Sequence, residues 1–184
     1  MKKIPTLFER DWNGDRSRVV NVVHPSCEWV LAGEGTATRK IDGTCCMIRN
    51  GKLYKRQEFK SGQEVPSDFE EAGLDTETGK RVGWRPVGEG PEDKWHREGF
   101  TNLDEKIDGT YELVGPHTQK NPEKYDKEAL VPHTIATLGL PDVPPRDFEG
   151  LKEYLAGKDI EGIVFHHPDG RMAKIKKRDF GLKR

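Results

Sequence analysis

Two short hydrophobic runs on either side of Asn50-Gly51 constrain the fold of this chain more than any other feature. They cover residues 45–48 and 52–56. An Asn-Gly pair favours the tight turn of a β-hairpin, because both central positions of that turn adopt positive φ angles. A second hairpin is predicted around residues 168–170, where Pro-Asp-Gly separates two further strand-like runs. The sequence therefore predicts sheets whose neighbouring strands are mostly antiparallel.

Other segments predict further strands and two helices. Strands are predicted at residues 18–23, 29–31, 109–114, 160–165 and 172–176, and a strand or a structured loop at 83–87. An amphipathic pattern with start and stop signals predicts a helix over residues 147–156. The spacing of Ser67 and Glu70 matches a capping box and predicts a short helix there. We therefore expect an α+β fold in which antiparallel sheets dominate.

The length of 184 residues predicts a single domain, 1–184, with a basic C-terminal tail at 171–184. That tail holds seven Lys or Arg residues against one acid, although the whole chain has a net charge of −1. No apolar stretch approaches the roughly 20 residues of a membrane span, and no signal segment follows the first residues. We therefore expect a cytoplasmic or nuclear protein with no membrane association.

The three cysteines, Cys27, Cys45 and Cys46, are too few and too badly spaced for a disulfide framework. Because neighbouring residues of a strand point to opposite faces, Cys45 and Cys46 cannot bind one metal ion together. The six histidines show no ligand spacing to any cysteine. We expect buried, reduced thiols and no structural zinc.

Four short segments occur in a fixed order along the chain. They are Lys-Ile-Asp-Gly-Thr at 40–44, Tyr-Glu-Leu-Val-Gly at 111–115, Glu-Gly-Ile-Val at 161–164 and Lys-Ile-Lys at 174–176. In this order, and on predicted strands, they resemble the motif series of the covalent nucleotidyltransferases, which include the nucleic-acid ligases and the mRNA capping enzymes. Together with Gly-Trp-Arg-Pro-Val-Gly at 83–88, they are most similar to the small ATP-dependent 5′-to-3′ RNA ligases of animals and viruses. The resemblance covers about residues 18–180.

This resemblance implies a nucleotidyltransferase (ATP-grasp-like) domain of mostly antiparallel sheets flanked by helices, without an OB-fold domain. It implies an ATP-dependent RNA ligase of RNA repair that uses Mg²⁺ or Mn²⁺. The lysine of the first motif would attack ATP and form lysyl-AMP, AMP would pass to an RNA 5′-phosphate, and a 3′-hydroxyl would then displace AMP. The implied partner is RNA with 5′-phosphate and 3′-hydroxyl ends, and no protein partner is implied.

The same resemblance assigns catalytic roles to five side chains. Lys40 is the nucleophile, and Lys174 and Lys176 assist it. Because residues two apart on a strand share a face, we expect Lys174 and Lys176 to lower the pKa of Lys40 and to neutralise charge on the α-phosphate. Glu112 and Glu161 match glutamates that hold the metal ion through water, and Glu112 also serves the ribose.

Further positions are implied to bind the nucleotide. These are Thr38, Arg39, Asp42, Gly43, Arg56, Glu112 and Glu161. The backbone at residues 38–39 would follow the adenine edge, and Arg56 would contact phosphate or sugar. The family also stacks an aromatic ring on the base, and Phe100, His117 and Tyr125 are alternatives for that ring.

The pentapeptide of the first motif occurs a second time, at residues 106–110. The residues after Thr110 resemble the third motif of the family, whereas the hairpin after Thr44 resembles the second half of the first. We therefore assign the nucleophile to Lys40 and interpret the copy that begins at Lys106 as the entry to a strand.

Two other functions stay open at this point. One is a catalytically idle RNA- or nucleotide-binding module on the same fold, and the other is a capping-type nucleotidyltransferase. The intact lysine, glutamates and basic pair disfavour the idle module. An adduct formed with GTP but not with ATP would favour the capping type.

Overall fold

The structure is a computed structural model that describes residues 3–75 and 78–184. It is mixed α/β, with mostly antiparallel sheets and few helices, which confirms the fold class at that level. The chain divides into two compact units. We call residues 42–133 with Lys3 the large-sheet unit, and residues 4–41 with residues 134–184 the lysine unit. A single adenylyltransferase domain over residues 1–184 stays a prediction.

The described residues form eleven strands and four α-helices. The strands are β1 Phe8–Arg10, β2 Val19–Val23, β3 Thr36–Lys40, β4 Thr44–Arg49, β5 Lys52–Phe59, β6 Glu70–Asp75, β7 Lys80–Pro86, β8 Gly109–Val114, β9 Ala129–Pro132, β10 Gly162–His166 and β11 Met172–Lys176. The helices are α1 Glu28–Leu31, α2 Lys94–Thr101, α3 Ile135–Leu138 and α4 Phe148–Ala156. Within residues 3–75 and 78–184, no helix is both long and apolar enough to cross a membrane.

Six strands of the large-sheet unit form one antiparallel sheet in the order β6-β7-β5-β4-β8-β9. The predicted hairpin joins β4 to β5, and Asn50 and Gly51 adopt φ angles of 52° and 70° in its turn. Alternate side chains bury one face of this sheet in a hydrophobic core, which contains Cys46, Ile48, Leu53, Tyr111, Leu113 and Leu130. Because side chains alternate, Cys45 and its register partner Glu112 project from the other face.

The strand that ends in Lys40 lies at one edge of a three-stranded antiparallel sheet in the lysine unit, with the order β11-β10-β3. The predicted hairpin joins β10 to β11, with Gly170 at a φ angle of 92°. One face of the sheet shares a core with Leu151 and Leu155 of α4. The fully buried side chains on that face are Ile163, Phe165, Ala173 and Ile175. Alternation therefore leaves the opposite face to Lys40, Gly162 and Lys176.

The predicted helix over residues 147–156 is observed as α4. The Asp147 side chain caps it by accepting a hydrogen bond from the Gly150 amide at 2.8 Å. Helix N-termini have amides without intrahelical partners, and an aspartate at this position satisfies one of them. The cap fixes where the helix begins, and the helix leads to β10.

The strand predicted at residues 29–31 is wrong, because this segment is helix α1. Trp29 and Val30 are both buried although they are adjacent, whereas Leu31 is exposed. A half-buried strand buries alternate residues, but a helix can bury neighbours on one face. A 3₁₀ turn before α1, capped by His24, sets the helical direction.

The helix predicted from Ser67 is also wrong, since the chain is extended from Glu70 onward as β6. Phe69 packs edge-on against Phe59, with ring centroids 4.9 Å apart, and Glu70 accepts two hydrogen bonds from Arg49. These contacts with the sheet outweigh the local capping signal. Helix α2 lies in a polar segment for which the sequence pattern gave no assignment. Strand β9 lies within residues 116–135, where the pattern indicated a loop with one helical turn, so that interpretation is wrong at 129–132.

The basic segment at 171–184 is folded over much of its length. It begins at the turn before β11 and continues as a 3₁₀ helix at Lys177–Phe180. Lys176 and Lys177 are both buried, with 7% exposure each. The exposed positive charge of this segment is therefore smaller than its seven basic residues suggest.

Asp179 ties the end of β11 to the rest of the lysine unit. It is fully buried, and its two carboxylate oxygens accept hydrogen bonds at 2.9 Å from Arg10 and from the backbone amide of Lys176. We expect Asp179→Ala to lower the free energy of unfolding by about 2–4 kcal/mol, because both donors lose a buried acceptor. Urea denaturation measures this change.

The exposed pair between Glu58 and Lys80, at 3.7 Å, offers a control. Glu58→Ala should cost less than about 1 kcal/mol, as exposed ion pairs contribute little. Equal costs for Asp179→Ala and Glu58→Ala would contradict the anchoring role of Asp179.

Candidate active site

Lys40 forms a close ion pair with Glu161 inside the lysine unit. Its Nζ atom lies 2.5 Å from Glu161 Oε2, and the two side chains are 22% and 17% exposed. Lys40 is the last residue of β3, and Glu161 directly precedes β10. The structure therefore brings together two residues that the sequence assigned to different motifs, 121 positions apart.

Lys176 places a second ammonium group at the same carboxylate. Its Nζ atom lies 3.7 Å from Glu161 Oε1, so Glu161 is shared by two lysines. Burial lowers the pKa of Lys176, and the positive charges of Arg178 and Lys40 lower it further, while the Glu161 carboxylate opposes the shift. Lys176 is thus a cation held in an environment that disfavours its charge.

Strand register explains why these side chains meet. Gly162 of β10 pairs with Lys40 on one side and with Lys176 on the other, so the three residues form one row across the sheet. The central position has no room for a side chain. A Cβ atom at residue 162 would lie 2.2 Å from the carbonyl oxygen of Ile175. Glycine therefore allows the close approach of β10 to β11 in this row.

The next row on the same face contains Thr38, Val164 and Lys174. Lys174 thus shares a face with Lys176, as the sequence predicted from their spacing. Thr38 is buried, and its Oγ1 atom lies 2.9 Å from His166 Nε2. His166 is a neighbour of this site that sequence reasoning did not assign to it.

Arg39 lies between the two rows, paired with Ile163. Because side chains alternate along a strand, the Arg39 side chain projects from one face of the sheet and the Lys40 side chain from the other. The backbone of Arg39 still belongs to β3, the strand that carries Lys40. It is this backbone, at residues 38–39, that the resemblance assigns to nucleotide binding.

The Asp42 and Gly43 positions lie in the large-sheet unit, where two glutamates hold their backbone. The Asp42 amide donates to Glu123 Oε1 at 2.9 Å, and the Gly43 amide donates to Glu112 Oε1 at 3.1 Å. A Cβ atom at residue 43 would lie 2.1 Å from the carbonyl oxygen of Leu113, so only glycine fits. Glu123 carries no recognisable sequence signal, because its role depends on a contact 81 residues away.

Glu112 is only 7% exposed and accepts hydrogen bonds through both oxygens. Its Oε1 atom is held by the Gly43 amide, and its Oε2 atom lies 2.9 Å from His133 Nε2. The other ring nitrogen of His133 lies 3.2 Å from Thr110 Oγ1. The carboxylate is therefore held by groups from two separate parts of the chain, one of which, His133, is oriented by Thr110.

Arg56 is half-buried on β5 and lines a polar cavity of about 400 Å³ in the large-sheet unit. The cavity wall carries both signs of charge, including Lys55 and Asp93, which form an ion pair at 2.5 Å. The Arg56 Nε atom is buried, and among the described residues it has no hydrogen-bond partner. A buried donor of this kind fits an acceptor supplied by a ligand.

The second copy of the pentapeptide lies in a different environment. Lys106 is exposed, and its Nζ atom donates to the carbonyl oxygen of Leu103 at 3.1 Å and lies over the ring of Phe100.

Among the candidates for base stacking, Phe100 packs on the hydrophobic core, and His117 stacks on Trp95 at 3.5 Å between ring centroids.

The chain is similar to curated proteins named RNA ligase 1. The protein from Rattus norvegicus is 24% identical over 79% of this chain and 67% of its own length. The protein from Mus musculus is 23% identical with the same coverage, and that from Pongo abelii is 37% identical over 44% of this chain and 26% of its own length. These similarities support a relationship to the RNA ligase family. No protein-family model matches the chain.

The lowered pKa of Lys176 predicts a pH dependence of stability. Between the folded pKa and the unfolded value of about 10.4, the unfolded chain binds more protons, so the stability contributed by this site rises with pH. We expect the free energy of unfolding of the wild type, minus that of Lys176→Met, to increase from about pH 8 to about pH 10. Chemical denaturation at each pH measures this difference.

The exposed Lys183 supplies a matched control. The corresponding difference for Lys183→Met should stay flat over the same pH range. A difference for Lys176→Met that stays constant or falls with pH would contradict the burial of a cation at this position.

Proposed function

We propose that this chain, which is related to the RNA ligases, is an ATP-dependent ligase that joins RNA 5′-phosphate and 3′-hydroxyl ends on a nucleotidyltransferase fold. The observation that carries the proposal is the row of Lys40, Gly162 and Lys176, with Glu161 at 2.5 Å from the Lys40 amine. A lysine, a carboxylate and a second cation at one place are the groups that nucleotidyl transfer to an amine requires.

In the first step we propose that Lys40 attacks the α-phosphorus of ATP. The amine must lose a proton before it attacks, and Glu161 lies within hydrogen-bond distance to accept that proton. A bond forms between Nζ and phosphorus, and the bond from phosphorus to the oxygen of the leaving pyrophosphate breaks. Lys40 then carries AMP as a phosphoramidate, which divides the whole reaction into easier steps.

Lys174 and Lys176 would stabilise the charge that builds on the phosphate oxygens. Both project from the same face of β11, and Lys176 is held at the Glu161 carboxylate. Phosphoryl-group transfer depends mainly on positioning and electrostatic stabilisation, so cations fixed by a sheet suit this reaction.

In the later steps we propose that an RNA 5′-phosphate attacks the phosphorus bound to Lys40. The phosphorus–nitrogen bond breaks, the lysine recovers a proton, and AMP is joined to the RNA end. A 3′-hydroxyl then attacks the activated 5′-phosphate, forms the phosphodiester bond and releases AMP. The names of the relatives support RNA as the nucleic acid.

A divalent cation, Mg²⁺ or Mn²⁺, fits carboxylate oxygens that keep some exposure, because these ions take oxygen ligands and retain several waters. Glu161, at 17% exposure, meets this condition in the lysine unit, and Glu112 is the carboxylate assigned in the large-sheet unit. We propose that Glu161 holds such an ion through water, and the resemblance assigns the same role to Glu112. When bound, the ion supplies charge neutralisation to the triphosphate.

For the nucleotide itself we propose contacts from several further positions. Arg56, with its buried and unpaired Nε donor, would bind a phosphate or sugar oxygen. The loop at Asp42 and Gly43, and the backbone at residues 38–39, would bind the nucleoside. These assignments follow the resemblance. For Arg56, the buried Nε donor without a hydrogen-bond partner among the described residues supports the proposed contact.

Lys40→Ala should abolish the covalent adenylate, because it removes the amine that we propose carries AMP. The measurement is the intact mass of the protein after incubation with ATP and Mg²⁺, followed by ligation of a 5′-phosphorylated RNA. Lys106→Ala is the matched control, because it removes the same residue from the same pentapeptide, and it should label as the wild type does.

The outcomes separate the candidate functions. Labelling that survives Lys40→Ala but is lost in Lys106→Ala would overturn the assignment of the nucleophile. An adduct with GTP and none with ATP would indicate a capping-type enzyme. No adduct with any nucleoside triphosphate would indicate a binding module without catalysis.

Lys174→Ala and Lys176→Met should each slow adenylylation by about 10²–10³-fold, the usual effect of removing one fixed electrostatic stabiliser. Single-turnover labelling with ATP measures the rate, and circular dichroism checks that each variant is folded. Lys183→Ala, which removes an exposed lysine of the same segment, should label at the wild-type rate. Normal rates in both Lys174→Ala and Lys176→Met would show that the pair does not act on the phosphate.

A further inference from the structure

Cys45, Glu112 and His133 bring three different ligand types together on one face of the large sheet. One ligand atom from each, the cysteine Sγ, a carboxylate oxygen and an imidazole nitrogen, lies within 4.8 Å of the others. Glu112 is buried, and Cys45 and His133 are partly exposed. The residues are 67 and 21 positions apart along the chain, so no short motif reveals the group.

The sheet register creates this cluster. Cys45 of β4 pairs directly with Glu112 of β8, so their side chains leave the same face. Beyond β9, the His133 amide continues the pairing by donating to the carbonyl oxygen of Thr110 at 3.0 Å. Thr110 and Glu112 are two residues apart on β8 and share a face, which places the His133 ring beside the carboxylate.

The His133 ring is held in place by contacts at both nitrogens, and metal binding at Nε2 requires its hydrogen bond to Glu112 to break. Thr110 Oγ1 lies 3.2 Å from Nδ1, and Nε2 faces Glu112 Oε2 at 2.9 Å. Metal-binding histidines commonly hold their second ring nitrogen by such an outer hydrogen bond, which fixes the ring and its tautomer. Glu112 is held in turn by the Gly43 amide through its other oxygen. Two of the three groups are therefore preorganised.

We propose that, when no nucleotide is bound, Cys45, Glu112 and His133 bind a transition-metal dication of the Zn²⁺ class, at the same carboxylate to which the resemblance assigns water-held Mg²⁺ or Mn²⁺. A thiolate, an imidazole and a carboxylate suit Zn²⁺ and Co²⁺, whereas Mg²⁺ prefers oxygen ligands alone. Bonds of about 2.0–2.3 Å to a shared ion require the three atoms to approach each other slightly and the Glu112–His133 hydrogen bond to give way. Three protein ligands leave a fourth position open, which distinguishes this site from a closed structural zinc site.

The test uses Co²⁺ as a spectroscopic probe on the full chain, with its thiols reduced and with neither ATP nor RNA present. Co²⁺ bound to a thiolate gives a charge-transfer band in the near ultraviolet, and excess Zn²⁺ should remove it by displacing the cobalt. We expect this band in the wild type and its loss in Cys45→Ser. Competition with a chromophoric chelator should show at least a tenfold weaker Zn²⁺ affinity in His133→Ala.

Cys46→Ala is the matched control, since Cys46 is the neighbouring thiol on the opposite, buried face. It should keep the cobalt band, and circular dichroism shows which variants are folded. Thr110→Val should bind Zn²⁺ more weakly if the outer hydrogen bond orients the ring. A wild type without the cobalt band, or a band that survives in folded Cys45→Ser, would overturn the proposal. Because no substrate is present, this result is independent of whether the chain ligates RNA.

Discussion

One carboxylate shared by two lysines is the interaction on which the lysine unit depends. Two ammonium groups held at the same carboxylate repel each other, and this repulsion grows where burial lowers the effective dielectric constant. Glu161 lies 2.5 Å from one ammonium group and 3.7 Å from the other, so it offsets much of that repulsion. The sheet must hold all three charges at once, because removing one partner from a partly buried set leaves the others uncompensated.

The backbone around this set is correspondingly constrained. Gly162 lets the central strand approach Ile175 where no side chain would fit, and Asp179 fixes the end of β11 through the Lys176 amide. On the opposite face, the side chains of β10 and β11 are fully buried in the core that they share with α4. Hydrophobic burial on one face thus stabilises the sheet. The other face can therefore carry the charged side chains, which would not stabilise the sheet by themselves. The first motif also shows how one short segment serves two units: its lysine ends β3, whereas its glycine is held in the large-sheet unit by Glu112.

Local signals predicted the parts of the fold that local chemistry determines. The Asn50-Gly51 and Pro-Asp-Gly turns gave both hairpins, and the Asp147 cap gave α4, because turn and capping preferences act within a few residues. The strand predicted at 29–31 failed because tertiary burial of two adjacent side chains selected a helix. Glu123 and His133 could not be found by the same reasoning, since each acts through contacts with residues that are distant in sequence. The motif order indicated Lys40, Glu161 and Lys176, but only the register of three strands shows why they meet.

The two copies of Lys-Ile-Asp-Gly-Thr separate the effect of a motif from the effect of its surroundings. Lys40 ends a strand, keeps 22% of its side chain exposed and faces a carboxylate. Lys106 has the same neighbours in sequence, yet it is exposed and donates to a backbone carbonyl above an aromatic ring. Lys106 thus lacks both the carboxylate and the second lysine that accompany Lys40. The pentapeptide therefore does not determine the environment of its lysine by itself; the strands that bring Glu161 and Lys176 to the first copy provide the difference.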